Sequence, residues 1–170
     1  MKNSLKFSIL FLIVLFVACN NRQPESAKEQ KTEPVFPIGN IITGNNFTGT
    51  AWLHWLVPND SIFNCPAGNV TFEPGARTNW HKHPGGQILL ITGGQGYYQE
   101  SGKQALLIKK GDVVLISPDV EHWHGATSIS GFTHIAINTN VQKGSVVWLQ
   151  PVSDEEYGNL DQEKQELIKR

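Results

Sequence analysis

From Asn40 onward, apolar and polar positions alternate in short bursts broken by turn residues. The segments T-A-W-L-H-W-L-V (50–57), N-V-T-F-E (69–73), Q-I-L-L-I-T (87–92) and Q-G-Y-Y-Q-E (95–100) read as strands. So do A-L-L-I-K (105–109), D-V-V-L-I-S (112–117), G-F-T-H-I-A-I-N (131–138) and S-V-V-W-L (145–149). Each is rich in β-branched, aromatic or leucine side chains, which suit a half-buried pleated surface. E-P-G-A, P-G-G, T-G-G, S-G-K, K-K-G-D, S-P-D and Q-K-G stand between them as turns, with S-G-K at 101–103 as a tight hairpin. Strands recurring every 8–12 residues or so, with no helical crossover and no internal repeat, predict an all-β sandwich or barrel and argue against a parallel α/β sheet.

The two ends follow a different pattern. Lys2 and Lys6 precede an unbroken small-or-apolar run, Phe7 to Ala18, too short for a spanning helix and typical of a signal segment. It closes on F-V-A-C, which resembles a bacterial lipobox. The expectation is a leader over 1–18 and a lipidated Cys19, with an ordinary secretory signal as the alternative. A polar tether with three prolines fills the rest of 19–37, and the folded domain spans 38–153. The charged tail, 154–170, is expected to carry a short helix. Such a chain is an exported lipoprotein held at a membrane by several acyl chains, each buried CH₂ adding about 0.8 kcal/mol. Lipidation of Cys19 leaves Cys65 as the remaining thiol, with no partner for an intrachain disulfide.

Composition sharpens this picture. A length of 170 residues allows one compact domain plus appendages, and 16 glycines with five tryptophans favour strands and turns over a bundle. The net charge of −1 points away from nucleic acid as a partner.

The candidate chemistry lies in the histidines. Four of the six form two H-x-H pairs, His81/His83 and His122/His124; the others are His54 and His134. On a strand, residues i and i+2 share a face, so each pair projects together. Two such pairs facing one barrel interior bring three or four imidazoles around one point, as a first-row divalent metal requires. By the same alternation Trp80 and Trp123 point away from the site, and His134 faces opposite to the isoleucines beside it. His134 then either lines the pocket or packs in the barrel. His54, between two tryptophans, reads as a structural residue at a barrel edge or subunit contact. For Arg77 the sequence leaves a supporting role at the site and an interface role both open.

The spacing Gly75-x5-His81-x-His83-x3-Gln87-x6-Gly94 resembles the first motif of the cupins, with glutamine where the acid usually stands. The second motif is looser: Gly111 and His122 keep their separation, the proline is displaced to Pro118, Val120 takes the place of the inner glycine, and Ala126 that of the final asparagine. Beyond these motifs, F-E-P-G-A-R-T-N-W-H-K-H-P-G-G-Q, G-D-V-V-L-I-S-P-D-V-E-H-W-H-G-A, T-H-I-A-I and D-E-E-Y are similar to small bacterial cupins that include the manganese-dependent hydroxynitrile lyases. The resemblance implies an all-β cupin jelly-roll barrel and a metal held by His81, His83, Gln87 and His122. It further implies His124 and His134 as pocket histidines beside the open coordination positions. Manganese is the implied metal, with iron, zinc, cobalt and nickel also compatible with imidazole and amide donors.

An amide in place of the carboxylate leaves a divalent ion its full formal charge, making it a stronger Lewis acid and a better host for an anion. The expected activity is metal-dependent conversion of a small hydroxy or carbonyl compound, such as hydroxynitrile cleavage with His124 or His134 as general base. A metal-dependent dioxygenase and a non-catalytic small-ligand or metal-binding cupin are the alternatives. The apolar, tryptophan-rich strand 50–57 would make a poor exposed edge, which predicts a homodimer.

Overall fold

The computed structural model describes residues 34–160. The expected leader, Cys19, most of the tether and the last ten residues of the tail lie outside the described residues. Among the described residues twelve strands form: β1 (Asn40–Ile41), β2 (Phe47–Thr48), β3 (Ala51–Val57), β4 (Ala67–Phe72), β5 (Arg77–Thr78), β6 (His81–Lys82), β7 (Gln87–Glu100), β8 (Leu106–Lys109), β9 (Val113–Ile116), β10 (His122–Ala126), β11 (Phe132–Asn138) and β12 (Val147–Trp148). A 3₁₀ turn covers Val141–Lys143. A helix, α1, follows at 154–160. Ser153 caps it, accepting the Glu156 backbone N–H at 3.0 Å, and three acidic residues in the first turn complement the helix dipole.

Every strand pairing is antiparallel, and the strands make two sheets that share β7. The first sheet runs β1-β3-β4-β11-β7-β9; the second is built on the far half of β7 with β8, β10, β5 and β2, and β6 and β12 extend it beside β10. This is the predicted all-β jelly roll with its short C-terminal helix. Between the sheets, Phe72, Leu89, Ile91, Tyr98, Ile116 and Phe132 form the main core. A second cluster, Trp80, Tyr97, Trp123, Val152 and Tyr157, packs behind the second sheet, so both tryptophans do turn away from the histidines.

One predicted turn is not a turn. T-G-G at 92–94 lies inside β7, a continuous strand of 14 residues that replaces the two expected at 87–92 and 95–100. Opposite it, pairing slips by one residue between Thr133 and His134, so Thr92 is left as a bulge. The bulge bends β7 out of the first sheet and into the second. Gly94 sits just past it with φ +67°, and a Cβ there would collide with the Gly131 carbonyl oxygen.

The edge argument for 50–57 also changes. β1 pairs with part of β3 through Asn40↔Leu53 and Ile41↔Trp52, so the chain itself covers that stretch. Two-residue strands such as β1, β2, β5 and β6 carry too few positions for alternation to reveal. In the turn before β10, Asp119 holds the left-handed conformation (φ 61°), so Asp119 and not Val120 occupies the glycine-like slot; a short polar side chain tolerates it.

The bend gives a direct test. Gly94→Ala combines an unfavourable φ with a backbone clash, whereas Gly102→Ala, at φ +76°, has open space around it. Urea unfolding should show a loss of about 1 kcal/mol for Gly102→Ala and at least about twice that for Gly94→Ala. Equal losses would mean that the corner does not depend on Gly94.

Candidate metal centre

The site follows from one pairing. His122 of β10 lies directly opposite His81 of β6. Because each H-x-H pair shares a face, this register turns both pairs to the barrel interior, with the His81 and His122 rings 4.2 Å apart. One ligand atom each from His81, His83 and His122 fall within 4.8 Å of one another, and all three residues are buried. Gln87, the first residue of β7, brings its Oε1 to 3.3 Å from His122 Nε2.

The hydrogen bonds around these rings decide which atoms carry lone pairs. His81 Nδ1 meets the Asn79 carbonyl at 2.9 Å, and His122 Nδ1 meets the Val120 carbonyl at 2.9 Å. A carbonyl can only accept, so both Nδ1 atoms donate, and each neutral ring turns an unprotonated Nε2 away from that bond. The Gln87 amide is committed too, donating from Nε2 to Asn138 Oδ1 at 3.0 Å. His122 Nε2 and Gln87 Oε1 therefore face each other as two electron pairs. His83 Nε2 is buried without a hydrogen-bond partner. Electron pairs converging in a buried place with no proton between them are satisfied by a cation, so this donor set fits a divalent transition metal.

The remaining pair lies alongside. His124 is 5.3 Å from His81 and 4.8 Å from His134, ring to ring. His124 Nδ1 and both nitrogens of His134 are buried with no hydrogen-bond partner among the described residues. Phe72 stacks on His134 at 5.7 Å and meets His124 edge-on at 5.9 Å. His134 thus joins the same cluster and does not merely pack with the core.

All five rings are held neutral. Burial lowers His134 to about 3, and burial with His122 nearby lowers His83 to about 4. Burial is also the main cause for His81, seconded by His122, and for His124, seconded by His134; both fall well below the ordinary histidine value. His122 is lowered by burial against the opposing pull of its Val120 bond.

A cavity of about 310 Å³ is lined by the polar side chains of His81, His83, Gln87, His124, His134 and Asn138 and by the apolar ones of Phe47, Leu53, Trp55, Val70, Val146 and Trp148. Among the described residues, no aspartate, glutamate, lysine or arginine lines it. A second cavity of about 300 Å³ adjoins it through Trp55, His83, Asn138 and Val146. Trp148, paired with His81 and 4.9 Å from its ring, and Phe47 were not anticipated from sequence: Phe47 belongs to a two-residue strand, and the strand read at 145–149 forms only over Val147–Trp148. Asn138 was not singled out either, although alternation along β11, which puts it on the face of His134, is a signal that could have found it.

Two sequence candidates lie elsewhere. His54 is half-buried on β3, opposite Asn69, and does not line the cavity. Arg77 bonds the Val152 carbonyl at 3.1 Å, pairs with Asp154 and lies over the Tyr157 ring at 4.6 Å. It fastens the C-terminal segment to the barrel and takes no part in the histidine cluster. Cys65 is half-buried and free.

The chain belongs to the cupin family. Residues 68–135 match the Cupin domain, and the sequence is 43% identical over 112 residues to an (R)-mandelonitrile lyase from Granulicella tundricola, covering 62% of this chain and 86% of that protein. Among solved structures, a cupin-like protein from Thermotoga maritima is 48% identical with a TM-score of 0.73, over 75% of this chain and 96% of the other. A cupin 2 conserved barrel domain protein from Rhodopseudomonas palustris shares the fold at 14% identity and a TM-score of 0.56, over 74% and 84% of the two chains.

The buried neutral histidines set a pH dependence. Their folded-state values lie below 6.5, so the unfolded chain takes up protons first as pH falls. Stability is complete above about pH 6.5 and declines below it, by on the order of 2 kcal/mol each for His83 and His134 between pH 7 and pH 5. Urea unfolding of chelator-treated protein should show this decline, and His134→Phe should reduce it. A flat profile from pH 7 to 5 would contradict the assignment.

Proposed function

We propose that this cupin is a divalent-metal-dependent lyase acting on a small hydroxy compound, with hydroxynitrile cleavage as its best-fitting reaction. What carries the reading is the arrangement of two sets of histidines at one cavity. Three imidazoles and an amide oxygen form a donor set, and two further neutral imidazoles with unpartnered nitrogens stand beside it. The Granulicella relative, named for an (R)-mandelonitrile lyase, supplies the reaction class. Manganese is the ion proposed, on the resemblance to manganese-dependent cupin lyases and on a donor set that suits it.

A divalent ion held by His81, His83, Gln87 and His122 would supply Lewis-acid polarisation of the substrate oxygen. The chain's own residues do the rest. The apolar wall of Phe47, Leu53, Val70 and Trp148 takes the organic portion of the substrate and displaces water. His124 or His134, neutral at pH 7, accepts the hydroxyl proton on a free ring nitrogen. The electrons of the broken O–H bond form the carbonyl as the C–CN bond breaks. Its electron pair leaves with cyanide, and the histidine then returns the proton to give hydrogen cyanide. With no acidic side chain among the described residues that line the wall, the site favours a departing anion.

Mandelonitrile turnover, followed by benzaldehyde release, tests the reading. The Mn²⁺-loaded protein should turn over substrate, chelation should abolish it, and Mn²⁺ should restore it without any need for oxygen. At least one of His124→Ala and His134→Ala should lower kcat by about 10²–10⁴-fold while keeping the metal. Full turnover in both variants, or equal activity with and without metal, would sink the proposal.

We also propose that Cys19 anchors the domain to a membrane, on the resemblance of F-V-A-C to a lipobox. Membrane fractionation should find the native chain in the pellet and Cys19→Ser in the soluble fraction. An unchanged distribution would count against lipidation.

A further inference from the structure

We infer that Asn138 positions the fourth metal ligand: it holds the Gln87 amide so that the carbonyl oxygen, not the NH₂ group, faces the histidines. The inference rests on the metal reading given above. A glutamine amide has two ends of almost the same shape and opposite electrostatic sense. With the oxygen inward it offers an electron pair to a cation; with the nitrogen inward it presents two N–H groups and repels one. A carboxylate at this position would need no such choice, so the amide creates a requirement that the surrounding residues must meet.

Asn138 meets it. The register of β7 and β11 places Asn138 directly across from Gln87. Gln87 Nε2 donates to Asn138 Oδ1 at 3.0 Å, which leaves Oε1 at 3.3 Å from His122 Nε2. The Asn138 backbone is held by its N–H bonding the Pro66 carbonyl at 3.0 Å, which keeps the side chain beside Gln87. Gln87 is buried, so its amide is withdrawn from bulk solvent and this hydrogen bond is strengthened. Both side chains line the main cavity, and Asn138 also borders the second one. The asparagine acts through the glutamine and is therefore a positioning residue.

The role separates from a merely structural one by substitution. Aspartate at this position can still accept from Gln87 Nε2; leucine has a similar size and cannot. Mn²⁺ affinity, measured by competition with a chelating dye, should fall about tenfold or more in Asn138→Leu. In Asn138→Asp it should stay at the native level or tighten. In a Gln87→Ala background, Asn138→Leu should cost nothing further, since the amide it acts through is gone. The electron paramagnetic resonance spectrum of bound Mn²⁺ should change in Asn138→Leu and not in a Gly102→Ala control. Where Asn138→Leu fails to fold, Asn138→Ser, too short to reach Gln87, carries the same expectations.

Native Mn²⁺ affinity in Asn138→Leu or Asn138→Ser overturns the inference and leaves the metal reading standing. An equal loss in the Gln87→Ala background also overturns it, because Asn138 would then act on the cavity directly. Failure of the metal reading has a different signature. The native protein would show no Mn²⁺ site that His81→Ala removes, and both ideas would fall together.

Discussion

The pairing of His81 with His122 across two antiparallel strands is the constraint on which the site depends. Side chains on a strand alternate with a period of two, so a slip of one residue in this pairing would turn one of the two H-x-H pairs outward. The register is held from both sides. Behind the second sheet, Trp80 and Trp123 pack with Tyr97, Val152 and Tyr157. In front of it, Phe72, Tyr98 and Phe132 fill the space between the sheets. A slip would carry tryptophan into the metal cavity and histidine into an apolar cluster, and each exchange is costly. Hydrophobic pattern and ligand geometry therefore select the same alignment.

The bent strand β7 links that constraint to the first sheet. Its opening residue, Gln87, belongs to the first sheet, and its last, Glu100, pairs with His122 in the second. One strand thus delivers the amide donor and also holds the strand that bears His122 and His124. His134 comes from β11, which pairs with the first half of β7. Without the bulge at Thr92 the two sheets would not fold over one cavity, and the donor set would be split between them. A local backbone irregularity is in this way a condition for the site.

Much of this was legible in the sequence, and what was missed has a physical pattern. The long strands, the H-x-H pairs and the inward face of His134 follow from a periodicity that repeats over several residues. Phe47 belongs to a two-residue strand, where no period can be seen; Trp148 lies in the unbroken apolar run V-V-W-L, where no alternation marks a face and tertiary pairing alone sets direction. T-G-G was misread because glycine pairs mark turns and bulges alike, and the distinction rests on Gly131, which lies 37 positions after Gly94. Arg77 stayed open because its partners, Val152 and Asp154, sit some 75 residues away. Asn138 differs from these, since alternation placed it on the face of His134 but did not say what an amide there would do.

The neutral character of the cavity explains why that amide matters. Five histidines are buried together, and among the described residues no aspartate or glutamate lines the cavity; loss of solvation drives each toward its uncharged form. A carboxylate at position 87 would pull these imidazoles back toward protonation and would offset much of the charge of a bound ion. Glutamine keeps the free imidazoles basic in form and leaves the full cationic field available to a substrate oxygen or a departing anion. Its drawback is the loss of a strong electrostatic ligand, together with an orientation that electrostatics alone does not fix before the ion arrives. The backbone carbonyls of Asn79 and Val120 orient two imidazoles, and Asn138 does the same for the amide. A site that gives up charge in its ligands must replace it with pre-set direction, and these three hydrogen bonds provide that direction within the fold itself.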